Sequence, residues 1–350
     1  MPEKSPGSNS RPGRNLEEAR RIFHNLPRIP LITPLTAIER CDRLRQAIPR
    51  SPEIYVKRDD QQAFLCGGNK LRKLEYIMAD VLRHRATTVL TMGGTHSNHA
   101  RITAMVARRT GLKSVLVLNG ERGQSPKGNL LLNHLLGIDI HYVESREERE
   151  PRVQELAKAL TKQGERVYVV PLGSSNEVGS FGLAAAMEEI AAAEKQLGIN
   201  FDTIIVSSSS GGTQAGLEVG RRLFGLERSQ VIGVSPDDSA AAISANITKA
   251  MNPMFVTLGL DGEEEAAGIT VDDGFVGEAY GIPSPASQEA FYLWSKFEGI
   301  LLDPVYTAKA SAALFSYIKN GRFHPSEKVL FWHTGGLINL FGGPMDCTAK

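Results

Sequence analysis

The alternation of short β-rich runs with longer helical stretches in this sequence predicts an α/β fold with a mainly parallel sheet. From about Ile54 onward, short runs rich in β-branched residues are separated by longer stretches with apolar residues at helical spacing. A helix of such length between two strands carries the chain back across the sheet, and crossovers of this kind produce parallel strands. We find no internal repeat.

The elements follow one another regularly as far as residue 236. Leu71, Leu74, Met78 and Val81 fall on one face of the first helix, and Gly111 is placed to close the second. Strands are predicted at "EIYVKR", "TTVLTM", "KSVLVL", "IDIHYV", "RVYVVPL", "FDTIIVSS" and "QVIGVSP". Helices are predicted at "NKLRKLEYIMADVLRH", "HARITAMVARRTG", "GNLLLNHLLG", "EREPRVQELAKALTKQG", "GLAAAMEEIAAAEKQLG" and "TQAGLEVGRRLFG".

Two segments show no such pattern. Residues 1–20 begin with polar, Pro/Ser/Gly-rich sequence that lacks the apolar core of a secretory signal, and we expect a disordered extension. Residues 236–280 are difficult to interpret, and "EEEAAGITVDDGFVGEAYG" within them is expected to form a loop that borders a site.

Composition excludes several functional classes. The 350 residues are 41% hydrophobic, which is enough for a substantial core in one large domain or two. The 40 basic and 39 acidic residues nearly cancel, so no nucleic-acid or membrane surface is indicated, and no apolar run approaches membrane-spanning length. Three widely separated cysteines favour neither disulfides nor a metal site, and a reducing cytoplasm fits them best.

The segment "SSSSGGTQAG" has the chemistry of an anion cradle. It follows the apolar run "TIIV" and leads directly into a helix, so it lies at the carboxyl end of a strand, where ligands of open α/β sheets bind. Ser209, Ser210, Gly211, Gly212 and Thr213 combine small side chains, hydroxyl donors and a helix N-terminus, which suits a phosphate. Neither a P-loop lysine nor a G-x-G-x-x-G motif is present, so nucleoside triphosphates and dinucleotides are disfavoured.

Two further strand ends carry polar side chains. In "GGTHSNHAR", the side chains of Ser97, Asn98 and His99 are suited to hold a carboxylate or a ring oxygen, although a simple helix cap explains them equally well. "LLDPVYTAKA" and "GEAYGIPS" supply Tyr306 and Tyr280, each of which would also fit a buried tyrosine with a backbone hydrogen bond.

Lys70 lies in "CGGNKLRK", where a Gly-bounded turn meets a helix. A phosphate cradle without nucleotide signatures, together with such a lysine, suggests pyridoxal phosphate held as a Schiff base. The helix N-terminus and the neighbouring Arg72 and Lys73 are expected to lower the pKa of the Lys70 amine and make it a nucleophile. A solvated surface lysine is the alternative.

Six segments together resemble one enzyme family. "CGGNKLRKLEYIMAD", "GGTHSNHAR", "SSSSGGTQAGL", "EAYGIPS", "EGILLDPVYTAKA" and "FWHTGG" look like the D-cysteine desulfhydrase and 1-aminocyclopropane-1-carboxylate (ACC) deaminase group. That group belongs to the tryptophan synthase β-like, fold-type-II pyridoxal-phosphate enzymes. The resemblance implies two open, mainly parallel twisted sheets with flanking helices. It also implies a large domain of residues 21–72 plus 181–350, a small domain of residues 73–180 inserted in it, and a cytoplasmic homodimer.

The resemblance also implies roles for individual residues. Lys70 would bind the cofactor covalently and move the substrate α-proton, residues 209–213 would bind the phosphate, and Asn98 would contact the 3-oxygen. Lys73 would lie near the cofactor, and Thr307 would face the pyridine nitrogen. Around the substrate the resemblance places four residues: Ser97, His99, Tyr280 and Tyr306.

Position 307 separates members of the group. ACC deaminases resemble this segment but read "YE", and a carboxylate there would keep the pyridine nitrogen protonated. The "YT" and "SNH" of this chain resemble the desulfhydrases more closely. The resemblance therefore favours α,β-elimination from D-cysteine to pyruvate, ammonia and sulfide, and leaves ACC deamination and L-cysteate sulfo-lysis as alternatives. A nucleotide-dependent oxidoreductase and a non-catalytic cofactor carrier are the rival classes.

Overall fold

The structure is a computed structural model. It describes residues 15–32, 35–62, 66–120, 123, 125–261 and 268–342. In chain order the strands are β1 Ile38–Arg40, β2 Glu53–Arg58, β3 Thr88–Gly94, β4 Lys113–Asn119, β5 Asp139–Val143, β6 Val167–Val169, β7 Thr203–Ser207, β8 Gln230–Val234, β9 Thr270–Asp272 and β10 Lys328–His333. The helices are α1 Leu16–His24, α2 Asp42–Ala47, α3 Asn69–Arg83, α4 Asn98–Arg109, α5 Gly128–Leu135, α6 Arg149–Lys162, α7 Glu177–Leu197, α8 Gly212–Leu223, α9 Ala240–Leu258, α10 Pro285–Glu298 and α11 Thr307–Lys319.

The strands form two sheets. The larger has the order β1-β2-β10-β7-β8-β9, and only β1 runs antiparallel to its neighbour. The smaller has the order β5-β4-β3-β6 and is parallel throughout. The prediction of two mainly parallel sheets with flanking helices is confirmed. The central strands are buried on both faces, as their continuous apolar sequences require.

The predicted division into domains stays a prediction, although the strands fit it. All four strands of the smaller sheet fall within residues 73–180, and the strands of the larger sheet fall outside that range. Both predicted boundaries, however, lie inside helices, since α3 continues past residue 72 and α7 continues past residue 180.

Two segments are more ordered than the sequence indicated. The predicted disordered extension, residues 1–20, is wrong at its end, because α1 begins at Leu16 under an Asn15 cap and buries Ala19 and Phe23 against the core. Residues 1–14 of that prediction lie outside the described residues. Within residues 236–280, α9 forms in spite of Pro253, and β9 extends the larger sheet. Apolar contacts in the tertiary structure, rather than local pattern, stabilise both segments. Among the helices of the described residues, none has the length and apolar content needed to cross a membrane.

A buried ion network fixes α3 against the larger sheet. Arg72, two residues after Lys70, donates to Asp59 Oδ1 at 2.7 Å and to Glu189 Oε1 at 2.6 Å. Trp332 Nε1 donates to Asp59 Oδ2 at 2.8 Å. Burial alone would raise the pKa of Asp59, but the Arg72 guanidinium holds it below its ordinary value.

Close backbone contact fixes the other side of α3. A Cβ added at Gly182 of α7 would lie 2.0 Å from the Arg72 carbonyl oxygen and 2.7 Å from the Lys73 nitrogen. Only glycine allows the two helices to approach this closely. The first turn of α3, which carries Lys70, is therefore held between α7 and the larger sheet.

Replacing Arg72 with alanine should lower the free energy of unfolding by about 3–5 kcal/mol, because Asp59 would be left buried without its main partner. The matched control is Arg83→Ala on the same helix, where an exposed pair with Asp80 is lost and about 1 kcal/mol or less is expected. Urea unfolding followed by circular dichroism measures both, and equal losses would contradict the assigned role of the network.

Candidate active site

A cavity lies at the carboxyl ends of the central strands of both sheets. Its inner part is small, about 30 Å³, and its outer part measures about 280 Å³. Lys70, Ser209, Ser210 and Tyr306 line both parts. The remaining residues of the inner part are Gly67, Asn69, Asn98, Ser207, Gly211, Thr213, Thr334, Gly335 and Gly336. Those of the outer part are Gly93, Gly94, Ser97, His99, Asn119, Arg146, Arg149, Leu172, Gly173, Asp237, Asp238, Asn246 and Tyr280.

Lys70 enters the cavity from the first turn of α3. Gly68 precedes the helix with a φ of 56°, and a Cβ there would lie 2.1 Å from the Thr334 carbonyl oxygen, so this turn requires glycine. Burial lowers the pKa of Lys70 to about 8. A much larger share of this amine is therefore neutral at neutral pH than of an ordinary lysine.

The expected causes of this shift need correction. Arg72 points away from the cavity, where Asp59 and Glu189 balance its charge, so burial rather than Arg72 lowers the pKa of Lys70. Lys73 is buried nearby and donates to the Gly173 carbonyl and to Ser175 Oγ. Its own pKa is lowered by burial and by the charge of Lys70.

The proposed phosphate cradle consists mainly of backbone. Gly211 precedes α8 and provides no side-chain cap, so the first N–H groups of that helix lack intrahelical acceptors. The Ser209 hydroxyl donates to Asp237 and the Ser210 hydroxyl is paired with Ser175. Thr213 Oγ1 accepts from Asn69, which leaves its hydrogen available for a ligand.

The start of α4 presents three donors. Ser97 caps the helix by accepting from the Ala100 nitrogen at 3.1 Å, which leaves its O–H available, so the cap and the binding role are compatible. Asn98 Oδ1 accepts from Asn129 at 2.9 Å, and its amide hydrogens are left for a ligand oxygen. His99 differs, because burial and two lysine charges hold its pKa well below its usual range and it is therefore neutral.

Hydrogen bonds fix the His99 ring in the wall of the cavity. Its Nε2 is 2.8 Å from Thr91 Oγ1, and its Nδ1 is 3.2 Å from Ser174 Oγ. Thr103 Oγ1 lies 3.4 Å from Nδ1 as a third partner. The ring therefore shapes the substrate region, and its hydroxyl partners leave it little capacity for proton transfer.

Tyr280 and Tyr306 form a hydrogen-bonded pair above Lys70. Their hydroxyl groups bond each other, and their rings meet edge to face at 5.9 Å. Burial raises the pKa of Tyr280 to about 12, and burial together with Tyr280 raises that of Tyr306 well above its usual value. Both hydroxyls are protonated at neutral pH, as in an ordinary tyrosine, and both residues line the outer part of the cavity, where they can donate hydrogen bonds.

Thr307 lies at the first position of α11, behind Tyr306. Its hydroxyl bonds Asp303 Oδ1 at 2.8 Å, and among the described residues it does not line the cavity. The assignment of Thr307 to the pyridine nitrogen stays a prediction. Thr334, at the end of β10, does line the inner part.

Several lining residues were missed by sequence reasoning. Thr334 belongs to "FWHTGG", a segment to which the resemblance assigned no residue role. Its position directly after a β-rich run was the sequence signal for a ligand site. Asn69 and Arg149 are the first residues of helices and Asp237 lies in a loop, and none of these positions carries a local pattern for a ligand.

The cavity residues fit pyridoxal phosphate. A buried amine of lowered pKa is available for an aldehyde, an uncapped helix N-terminus for a phosphate, and the Asn98 amide for a ring oxygen. Because these groups come from three separate elements and line one cavity, they define the site of an enzyme that uses this cofactor.

The comparisons with known proteins agree with this class. Residues 30–335 match the family described as pyridoxal-phosphate dependent enzyme, and the chain belongs to that family. It is 38% identical over 320 residues to D-cysteine desulfhydrase of Yersinia pestis (strain Pestoides F), which covers 90% of this chain and 95% of that protein. D-cysteine desulfhydrase of Serratia proteamaculans (strain 568) is 37% identical over the same length. A solved structure of an ACC deaminase homologue is 32% identical, with a TM-score of 0.85 over 93% of this chain and 96% of that one. The resemblance inferred from the motifs is confirmed.

The lowered pKa of Lys70 predicts its labelling behaviour in protein stripped of cofactor. Acetylation by acetic anhydride requires the neutral amine, so labelling of Lys70 should rise as the pH passes about 8 and then level off. Labelling of surface lysines should continue to rise up to about pH 10.4, which is the ordinary pKa of lysine. Peptide mass spectrometry over pH 6–11 measures both, and a Lys70 profile that follows the surface lysines would contradict the burial argument.

Proposed function

We propose that this chain is a pyridoxal-phosphate-dependent lyase that cleaves the carbon–sulfur bond of D-cysteine by α,β-elimination, giving pyruvate, ammonia and sulfide. One observation carries the proposal: Lys70, a half-buried lysine whose pKa is lowered to about 8, shares a cavity with the hydroxyls of Tyr280 and Tyr306. The D-cysteine desulfhydrases, similar over 90% of the chain, support the choice of substrate.

The bound amino acid is oriented by the start of α4. The Ser97 hydroxyl lines the cavity at the N-terminus of that helix and favours the substrate carboxylate, because the helix dipole stabilises a negative charge there. Asn98 would hold the cofactor oxygen through its amide hydrogens, and the neutral His99 closes the wall without adding a charge.

Two proton transfers complete the reaction. Lys70 takes the α-proton, since its lowered pKa makes it a competent base near neutral pH. Pyridoxal phosphate, when bound, provides the electron sink for the pair left at Cα. Tyr306, hydrogen bonded to Tyr280, donates a proton to the departing sulfur, and its hydroxyl is protonated at neutral pH, as in an ordinary tyrosine.

ACC deamination is the second candidate, because the solved ACC deaminase homologue shares this fold at 32% identity. "YT" in place of "YE" disfavours it, since Thr307 has no carboxylate to protonate the pyridine nitrogen. We also propose that the enzyme is a homodimer in the cytoplasm, as the resemblance implies.

A panel of amino acids tests the proposal. The purified, cofactor-loaded enzyme is given both enantiomers of cysteine and cysteate, and ACC, and the products are identified by chromatography. D-cysteine should give pyruvate and sulfide in equal amounts. If ACC is turned over to 2-oxobutyrate in preference to D-cysteine, the enzyme is an ACC deaminase instead. Absence of product from every compound would refute the lyase.

Replacing Tyr306 with phenylalanine should lower kcat for elimination by about 10²–10⁴-fold, the usual contribution of a general acid. The visible absorbance of the bound cofactor should persist, because the Lys70 amine is unchanged. Tyr55→Phe is the matched control, since its hydroxyl contacts only Glu53, outside the cavity. Steady-state sulfide release measures both variants, and an unaltered kcat for Tyr306→Phe would exclude the assigned proton donor.

A further inference from the structure

The outer part of the cavity contains charges that elimination from free cysteine does not use. Arg146 lies just before α6 and Arg149 is the first residue of that helix. Both line the cavity together with Asp237 and Asp238, which lie in the loop that follows β8. A thiol or thiolate needs no such group beside it.

Arg146 has an ion-pair partner, and Arg149 has none among the described residues. Arg146 forms a two-point ion pair with Asp238, at 3.2 and 3.1 Å. The Arg149 Nε donates to the Arg146 carbonyl at 2.9 Å, and no side chain in the described part of the protein bonds its two terminal nitrogens. Arg149 is half-buried and lines the cavity. A guanidinium of this kind presents a fixed fork to the cavity.

Arg149 lies near the leaving-group end of the site. Its charge acts on Tyr280, lowering the pKa that burial raises, and Tyr280 is hydrogen bonded to Tyr306. The same wall includes Gly94, where an added Cβ would lie 3.7 Å from Asn119 Oδ1 and 3.9 Å from the Tyr280 ring. The absence of a side chain at Gly94 keeps the space beside Tyr280 open.

On the basis of the proposed function, we propose that Arg149 binds an oxyanion on the β-substituent of the substrate, so that the enzyme eliminates amino acids whose leaving group carries a carboxylate or sulfonate. Two parallel N–H···O bonds from one guanidinium match either group. Free cysteine would occupy the same site without this contact.

The surrounding charges agree with an anionic occupant. Burial lowers the pKa of Arg149, and the neighbouring Arg146 lowers it further, so a bound anion would relieve both effects. Tyr280, Glu147 and Asp237 act in the opposite direction. Of these, Asp237 accepts from Ser209 at 2.8 Å through Oδ2, while its buried Oδ1 has no hydrogen-bond partner among the described residues.

The reaction balances for a carboxylate-bearing substrate such as S-carboxymethylcysteine. The α-proton passes to Lys70, the Cβ–S bond breaks, and the bonding electron pair leaves with sulfur. Sulfur takes a proton from the tyrosine pair and departs as mercaptoacetate. The remaining three-carbon fragment adds water and yields pyruvate and ammonia.

The test uses two probes that differ in charge and hardly in size, S-carboxymethylcysteine and its neutral amide, S-carbamoylmethylcysteine. With the cofactor-loaded enzyme, Arg149→Gln should reduce the ratio of kcat/KM for the acid over the amide by about 10- to 100-fold. Arg149→Lys should reduce this ratio by a smaller factor. Arg152→Gln, on the same helix but outside the cavity lining, should leave the ratio unchanged.

Calorimetric binding separates this inference from the proposed function. The desamino analogue of the acid cannot be eliminated, so its affinity should fall by a similar factor in Arg149→Gln whether or not turnover occurs. Unchanged affinity and an unchanged ratio would overturn the role of Arg149 while leaving the lyase intact. Absence of pyruvate from every substrate, with the affinity loss preserved, would overturn the lyase and retain the anion site.

Discussion

The ion pair between Arg72 and Asp59 is the contact on which the site depends. Both side chains are almost fully buried, and Glu189 and Trp332 satisfy their remaining hydrogen bonds. A buried charge with these partners permits very few orientations of the helix that carries it. Lys70 lies two residues earlier, so the network that anchors the helix also directs the amine into the cavity.

The chemistry of the cavity comes from burial more than from nearby charges. Desolvation lowers the pKa of Lys70 and raises those of Tyr280 and Tyr306. One physical effect thus produces a base and an acid, because it always favours the neutral form. The start of α4 and the start of α8 then provide positive ends for two anions, the substrate carboxylate and the cofactor phosphate.

Much of the site could be predicted from the sequence, since short motifs at strand ends carry their own geometry. The Gly-rich segment before α8 and the Ser-Asn pair before α4 are local features, and both line the cavity as expected. Arg149 and Asp237 lie in ordinary charged segments, and only the folded chain brings them to the same cavity. The effect expected of Arg72 on Lys70 was wrong, because sequence proximity does not give the direction of a side chain.

By itself, the sequence determined the α/β class, most strands and helices and the cofactor family, and it predicted Lys70 as the central lysine. Periodicity and turn chemistry act over a few residues, so they can be read without knowing the fold. The tertiary structure decided that α1 and α9 form, and it decided the hydrogen-bond partners of Arg72, Thr307 and Tyr306. Those features depend on burial and on contacts between segments that are distant in the chain, which no local pattern encodes.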